Sequence, residues 1–213
     1  MKLPEGIRED FAREPLARAS LLPDPVLQFE CWLAETSAED PAAPNACSLA
    51  TAASNGQPSV RTVLLKLYDH KGFVFFTNYA SRKAQELAEN PCASMLFPWI
   101  RLGRQVIISG EVRRIPTAES LKYFVTRSRG SQLGAWASSQ SNVISSRTLL
   151  EAKLAEMKHK FAQGDVPLPS FWGGYRLVPE TFEFWQGQHD RLHDRFLYRR
   201  NHHDQWQIER LAP

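Results

Sequence analysis

Between Cys47 and Ile115 short apolar runs alternate with turn signals, and this rhythm limits the possible folds more than any other feature of the chain. CSLATAAS and SVRTVLLKLY flank the turn NGQP and read as a β-hairpin. Asp69-His70-Lys71-Gly72 turns the chain again into FVFFTN. CASMLFPWI and RQVIISGEVRRI are the next two strands, joined around Leu102-Gly103. Near the end, YRLVPETFEFWQG, HDRLHDRFLYRR and QWQIERLAP read as three closing strands, with NHHDQ as the last turn. A doubly wound sheet needs a helical crossover after each strand. Too few helical segments intervene here, so the pattern favours a mainly β barrel with flanking helices, of the α+β class.

The helical segments are recognisable by their caps. Asp24-Pro25 is a start signal, and Val26, Phe29, Trp32 and Leu33 follow on one face. A short helix capped by Ser81 runs to Asn90-Pro91, and Thr117 caps another that carries Leu121, Phe124 and Val125. A polar stretch, SRGSQLGAWASSQSNVISS, separates it from a longer helix over 148–163 with the stripe Leu150, Leu154, Met157 and Phe161. Gly164 and VPLPSFWGG then break the regular structure. Residues 1–20 are polar and read as an N-terminal arm, with a single domain over 21–213. There is no internal repeat and no sign of a second hydrophobic core.

Composition narrows the function classes. With 43% hydrophobic and 23% charged residues, the 213-residue chain is neither disordered nor fibrous. No apolar run of 18 residues occurs, and the first twenty residues lack a secretory apolar stretch. Three cysteines without CxxC spacing suggest reduced thiols, hence a cytoplasmic protein. Residues 1–46 hold 4 Lys/Arg against 9 Asp/Glu, a net of 4 − 9 = −5; the remainder therefore carries +8 of the overall +3. A basic body calls for an anionic partner, nucleic acid or a phosphorylated small molecule. Aromatic and basic residues do not alternate along exposed strands, and no nucleic-acid module is recognisable, which disfavours nucleic acid.

Phosphate-loop, dinucleotide, zinc-protease and α/β-hydrolase motifs are all absent. Scattered basic and polar residues carry the signal instead. Arg61 and Lys66 in RTVLLK would face opposite sides of a regular strand, unless a bulge or a ligand altered it. Ser81-Arg82-Lys83 at a helix start suits a phosphate, or is an ordinary solvated cap. Gln105 opens an apolar strand and either bonds a heterocycle or faces water. Tyr123 and Arg127 share a helical face and, with Ser131, suit a phosphate monoester, or are an ordinary surface Tyr–Arg pair. On a strand, Arg191, His193 and Arg195 would line one face, an arrangement that repels itself unless an anion compensates it. His189 and His193 have metal-pair spacing, but the neighbouring arginines repel a cation, so no metal is expected. Trp185 either packs in the core or stacks on a flat ligand.

Taken in order, RTVLLK, FFTN, SRKAQEL, FPWIRLGRQV, the Tyr123/Arg127/Ser131 trio, SQSNVIS, PSFWGGYR, FWQG and RLHDR with the ending ERLAP resemble the pyridoxine 5′-phosphate oxidase family. The resemblance runs from about residue 22 to the C-terminus. It implies an FMN-binding split β-barrel and a homodimer with FMN sites at the subunit interface. It also implies oxidation of pyridoxine 5′-phosphate and pyridoxamine 5′-phosphate to pyridoxal 5′-phosphate, with O2 as acceptor, hydrogen peroxide as by-product and ammonia released from the amine. FMN contacts would be Arg61, Thr62, Val63, Leu64, Leu65, Lys66, Phe76, Thr77, Arg82, Lys83, Gln105, Gln140, Ser141, Trp185 and Arg195. Substrate would meet Lys66, Tyr123, Arg127 and Ser131, with Arg191 and His193 as catalytic residues and Arg8 and Phe11 contributed by the arm.

Overall fold

The computed structural model describes residues 14–213, and its centre is one curled antiparallel sheet of nine strands. After a short 3-10 turn at Arg18–Ser20, helix α1 (Pro25–Glu39) begins where Asp24 accepts a hydrogen bond from the Val26 N–H. The hairpin β1 (Ala46–Ala52) and β2 (Pro58–Leu64) follows, then β3 (Leu67–Asp69) and β4 (Gly72–Asn78). Helix α2 (Arg82–Glu89) leads into β5 (Cys92–Trp99) and β6 (Arg104–Arg114). Helices α3 (Thr117–Thr126), α4 (Arg129–Ala137) and α5 (Arg147–Lys160) precede the long β7 (Trp172–Gln186), with β8 (Asp194–Arg200) and β9 (Trp206–Leu211) closing the sheet. The order is β2-β1-β5-β6-β7-β4-β3, with β8 on β7 and β9 on β8. This is a split-barrel α+β fold: the strand rhythm predicts the barrel with flanking helices, and the family resemblance implies the split form.

Strand β7 organises the sheet. One edge pairs with β6 from Tyr175 to Gln186. The other edge is shared, with β4 along Trp172–Leu177 and β8 along Thr181–Gln186. A register shift at Ser109/Gly110 lets the long β6–β7 ladder bend. A Cβ on Gly110 would come within 2.0 Å of the Val178 carbonyl oxygen, so the bend requires glycine there.

The main core fills the curl of the sheet beneath α1. Phe29 is fully buried, with ring centroids 5.0 Å from Phe73 and 4.9 Å from Phe97, both edge-on. Its helix therefore behaves as the periodicity predicts, with Val26 and Trp32 buried beside it.

The structure departs from the sequence reading in several places. A second, smaller hydrophobic cluster does exist: Phe124, Leu133, Ala135, Val166 and Trp172 are buried beside partly buried Leu154, Met157 and Phe161. It was not visible because its residues come from four separate segments, including α4, a helix within the stretch read as polar. Ser128 caps α4 by accepting from the Ser131 N–H. The run SVRTVLLKLY is interrupted at Leu65-Lys66, and WGG belongs to β7 rather than to a break. Helix α3 has Pro116, not Thr117, at its cap position, and Ser81 occupies the α2 cap without its hydroxyl capping.

Phe29→Ala removes the ring around which four other aromatics pack, and it should cost about 3–5 kcal/mol in denaturant unfolding. A loss below about 1 kcal/mol would show that the α1 contact is dispensable.

Candidate functional site

The break at Leu65-Lys66 creates the first side of a cleft. The Leu65 N–H donates to the Asn45 carbonyl at 2.8 Å, and the Lys66 N–H donates to the Val74 carbonyl at 2.9 Å. The chain thus changes partners between β2 and β3, and Lys66 comes to line the same cleft as Thr62, Val63 and Leu64. The opposite wall is Phe76, Thr77, Lys83, Tyr123, Arg127, Gln140 and Trp172, and the cavity measures about 270 Å³. An adjoining cavity of about 250 Å³, sharing Arg127, Gln140 and Trp172, is also lined by Asn78, Ser131, Gly134, Ala135 and Ser138.

Three parallel aromatic rings back this cleft. Phe76 stacks on Tyr123 with centroids 4.0 Å apart and on Trp172 at 5.2 Å. The close approach depends on the glycines that follow Trp172: a Cβ on Gly174 would fall 2.5 Å from Ile115 Cδ1 and 2.9 Å from the Phe76 ring. The Arg127 guanidinium sits over the Trp172 ring, 4.6 Å from its centroid. Its Nη1 is buried without a hydrogen-bond partner among the described residues. Burial pulls the Arg127 guanidinium below its ordinary pKa and pushes the Tyr123 phenol up, while attraction between the two opposes both shifts. A buried guanidinium N–H left unpaired is costly, and an anion in the cleft would satisfy it.

Lys83 is the second cation. Its ammonium donates to Thr77 Oγ1 at 3.2 Å and to Gln140 Oε1 at 3.1 Å, both neutral acceptors. Burial, reinforced by the Arg61 charge and only partly offset by Glu86, lowers its pKa to about 8. Arg61 and Arg82 do not line the cleft. They are held from behind by buried Glu86, Arg61 Nη2 at 3.1 Å and Arg82 Nε at 2.8 Å. Glu86 also accepts from the Thr51 and Ser59 hydroxyls. Burial alone would raise its pKa, but these four hydrogen bonds outweigh burial and bring it down to about 2. Leu65 is buried in the core and does not reach the cleft.

A second group of expected site residues gathers at the far end of β7. Gln105 pairs with Trp185, and Trp185 pairs with Arg195, so the three form a row across β6, β7 and β8. Arg195 is held by a bidentate contact to Glu183, at 2.8 and 3.1 Å, which raises its pKa. The His193 ring lies 4.7 Å from Trp185, and its Nδ1 accepts from the Gln188 N–H at 3.1 Å. The predicted one-faced row of Arg191, His193 and Arg195 is not formed. β8 starts only at Asp194, and His189–Arg191 is a 3-10 turn in which Asp190 and Arg191 have φ of 54° and 61°. The local hydrogen bonds of the loop override the strand pattern there.

Exposed Ser141 has φ of 72° and lines neither cavity. Arg8 and Phe11 lie outside the described residues. Five lining residues were not singled out from the sequence, Asn78, Gly134, Ala135, Ser138 and Trp172; the signal for the last was a tryptophan followed directly by two glycines. Among the described residues, no helix is long and apolar enough to cross a membrane. Glu86 has a folded pKa below its unfolded value near 4.5, so its stabilising contribution is complete above that value and is lost as pH falls toward 2. Glu86→Gln should therefore show a flatter loss of stability between pH 4.5 and 2 than the parent chain in denaturant titrations, and parallel curves would contradict the assignment.

Comparison with known proteins places this arrangement. The family model described as pyridoxamine 5′-phosphate oxidase matches residues 33–161, and that of the pyridoxine 5′-phosphate oxidase C-terminal dimerisation region matches 172–213. The pyridoxine/pyridoxamine 5′-phosphate oxidase of Rippkaea orientalis is 57% identical over 208 residues, 98% of each chain. That of Escherichia fergusonii is 52% identical over 207 residues, 97% of this chain and 94% of the relative. Among solved structures, PhzG from Burkholderia lata 383, in complex with tetrahydrophenazine-1-carboxylic acid, superposes with a TM-score of 0.86 at 34% identity, covering 92% of this chain and 95% of that one. A pyridoxamine 5′-phosphate oxidase-related, FMN-binding protein from Nostoc punctiforme shares the fold, with a TM-score of 0.72 at 18% identity. With both family models matched in order along one chain and full-length relatives above half identity, the chain belongs to the pyridoxamine 5′-phosphate oxidase family.

Proposed function

We propose that this protein is an FMN-dependent oxidase that converts pyridoxine 5′-phosphate and pyridoxamine 5′-phosphate to pyridoxal 5′-phosphate. O2 is the electron acceptor, hydrogen peroxide is formed, and ammonia leaves from the amine. The observation that carries this reading is the unpaired, buried Nη1 of Arg127 in an aromatic-backed cleft that also holds Lys66 and Lys83. The donor set fits phosphorylated ligands: three cations with no carboxylate in the lining, a phenol and several hydroxyls around one cavity system.

Lys66, Tyr123, Arg127 and Ser131 would clamp the substrate phosphate, and Arg8 and Phe11 of the arm, residues 1–20, would cover it. Thr62 to Leu64, Lys66, Phe76, Thr77, Lys83 and Gln140 would hold FMN, with Ser141 beside them and Arg61, Arg82 and Leu65 as the supporting layer. FMN supplies the two-electron chemistry when bound, and the protein binds, orients and shields. Gln105, Trp185 and Arg195 belong to the same set, yet Trp172 and Trp185 are separated by thirteen steps along β7, roughly 40 Å of strand at about 3.3 Å per residue. If both groups serve one ligand, they come from two copies of the chain. This supports a homodimer with FMN at the interface, in keeping with the match to a dimerisation region. The whole of 21–213 would then act as one domain in a cytoplasmic enzyme.

The Arg191 guanidinium offers only donors, so it orients the substrate by donating hydrogen bonds. Neutral His193 accepts at Nδ1 from the Gln188 N–H and therefore carries its proton at Nε2. It then also donates to the substrate, holding the ring rather than removing a proton.

Arg127→Ala should lower kcat/KM for pyridoxine 5′-phosphate by about tenfold to a hundredfold, the loss expected for one charged hydrogen bond of about 1.5–3 kcal/mol. Purified protein that neither binds FMN nor forms pyridoxal 5′-phosphate in air would end this reading. Because Lys83 loses its charge through about pH 8, FMN affinity should fall as pH rises past that value, and Lys83→Met should weaken binding and remove this dependence. Identical pH profiles for the two proteins, read by flavin fluorescence, would exclude Lys83 from the site. A second reading keeps FMN but takes another reduced heterocycle, a possibility raised by the likeness to PhzG. Unchanged pyridoxine 5′-phosphate turnover in both Arg127→Ala and Arg191→Ala would favour it.

A further inference from the structure

The loop that carries Arg191 and His193 connects β7 to β8, and its two closing residues are unusual. Gln186 and Asp194 face each other as the last pair of the ladder, and both are buried polar side chains, 2% and 6% exposed. Neither spends its hydrogen-bonding groups on the other. Gln186 Nε2 donates to the Glu14 carbonyl at 2.7 Å, while Asp194 Oδ2 accepts from the Leu16 N–H at 2.9 Å and from Gln188 Nε2 at 3.1 Å. Arg210, near the end of β9, closes the circuit. Its Nη1 binds Asp194 Oδ1, its Nη2 donates to the Leu16 carbonyl at 3.1 Å, and its guanidinium packs over Phe196 at 4.4 Å.

One carboxylate therefore joins three segments: residues 14–16, the 187–193 loop and the last strand. It reaches His193 through a single residue, because the Gln188 side chain is fixed by Asp194 and the Gln188 N–H fixes His193 Nδ1. The loop needs such restraint. Asp190 and Arg191 both have positive φ, a conformation non-glycine residues hold only when their surroundings enforce it.

We propose that Asp194 is a positioning residue for the oxidation, locking the Arg191/His193 loop in its working conformation and tying it to the N-terminal segment at Glu14–Leu16. This rests on the reading that Arg191 and His193 meet substrate. The requirement is for a carboxylate. Oδ2 faces two donors and Oδ1 faces a guanidinium, so an amide has its NH2 against a donor whichever way it is turned.

The test compares FMN-loaded wild type, Asp194→Asn, Gln188→Ala and the double variant Asp194→Asn/Arg210→Met. Steady-state kinetics with pyridoxine 5′-phosphate are read alongside flavin fluorescence, Tm and amide hydrogen exchange. Asp194→Asn should lower kcat/KM by about tenfold, the consequence of one charged contact replaced by a donor clash. FMN affinity should stay within about twofold, and exchange should rise together in residues 14–22 and 187–193. Arg210→Met should restore part of the loss, since the amide can then keep its oxygen toward Leu16 and Gln188. Should Asp194→Asn fail to fold, Gln188→Ala carries the test: a loss in kcat/KM at unchanged Tm and FMN affinity supports the proposal, and unchanged kcat/KM overturns it. Wild-type kinetics in Asp194→Asn, or exchange rising in only one of the two segments, also overturns it while leaving the site reading intact. A wild type that makes no pyridoxal 5′-phosphate overturns the site reading, and this proposal with it.

Discussion

The need to hydrogen-bond both edges of β7 shapes the whole molecule. One strand of 15 residues takes β6 along one side and divides the other side between β4 and β8. The shared edge passes from β4 to β8 across residues 178–180, opposite the register shift at Ser109/Gly110. The bend at Gly110, where no side chain fits, and the curl over Phe29 follow from that division. The functional geography follows as well, because β7 carries Trp172 at one end and Trp185 at the other.

Charge is distributed by the same framework. Most strand arginines have an acid, as does Arg82 at the start of α2: Arg61 and Arg82 have Glu86, Arg195 has Glu183, and Arg176 has Asp69 and Glu119. Lys83 and Arg127 are different, bonded to neutral groups or to a ring face where a carboxylate would otherwise be expected. Burying a cation without an acid costs free energy unless a ligand supplies the negative charge. The excess of basic residues noted in the sequence thus includes two cations, Lys83 and Arg127, set at the cleft without an acid, while several arginines elsewhere are already paired. The acidic residues before Ala46 contribute to this in part, since Glu35 pairs with Arg104 and Asp40 with Arg101.

Legibility followed the range of the interactions. Helix α1, the β1–β2 hairpin and the turn at Asp69–Gly72 are governed by local signals, and they form where the pattern predicts. Tyr123, Arg127 and Ser131 were legible as a trio because they are close in sequence. Apart from the caps of α2 and α3, the failures involve contacts beyond the local segment. The break at Leu65-Lys66 depends on Asn45 and Val74, the α4 cluster on residues more than thirty positions away, and the RLHDR loop on Leu16 and Arg210.

By itself the sequence determined the class of fold, the positions of most elements, and, through ordered motifs, the family. The first two rest on periodicity and turn chemistry, which act within a few residues, and the family on the order and spacing of its motifs. Only the tertiary structure decided which cations are free to meet a ligand, since that depends on whether a carboxylate from another strand has reached them. It alone separated the site residues into two groups at opposite ends of β7, and it alone gave Asp194 its three partners. Such outcomes are set by what packing brings together across the chain, and no local pattern encodes them.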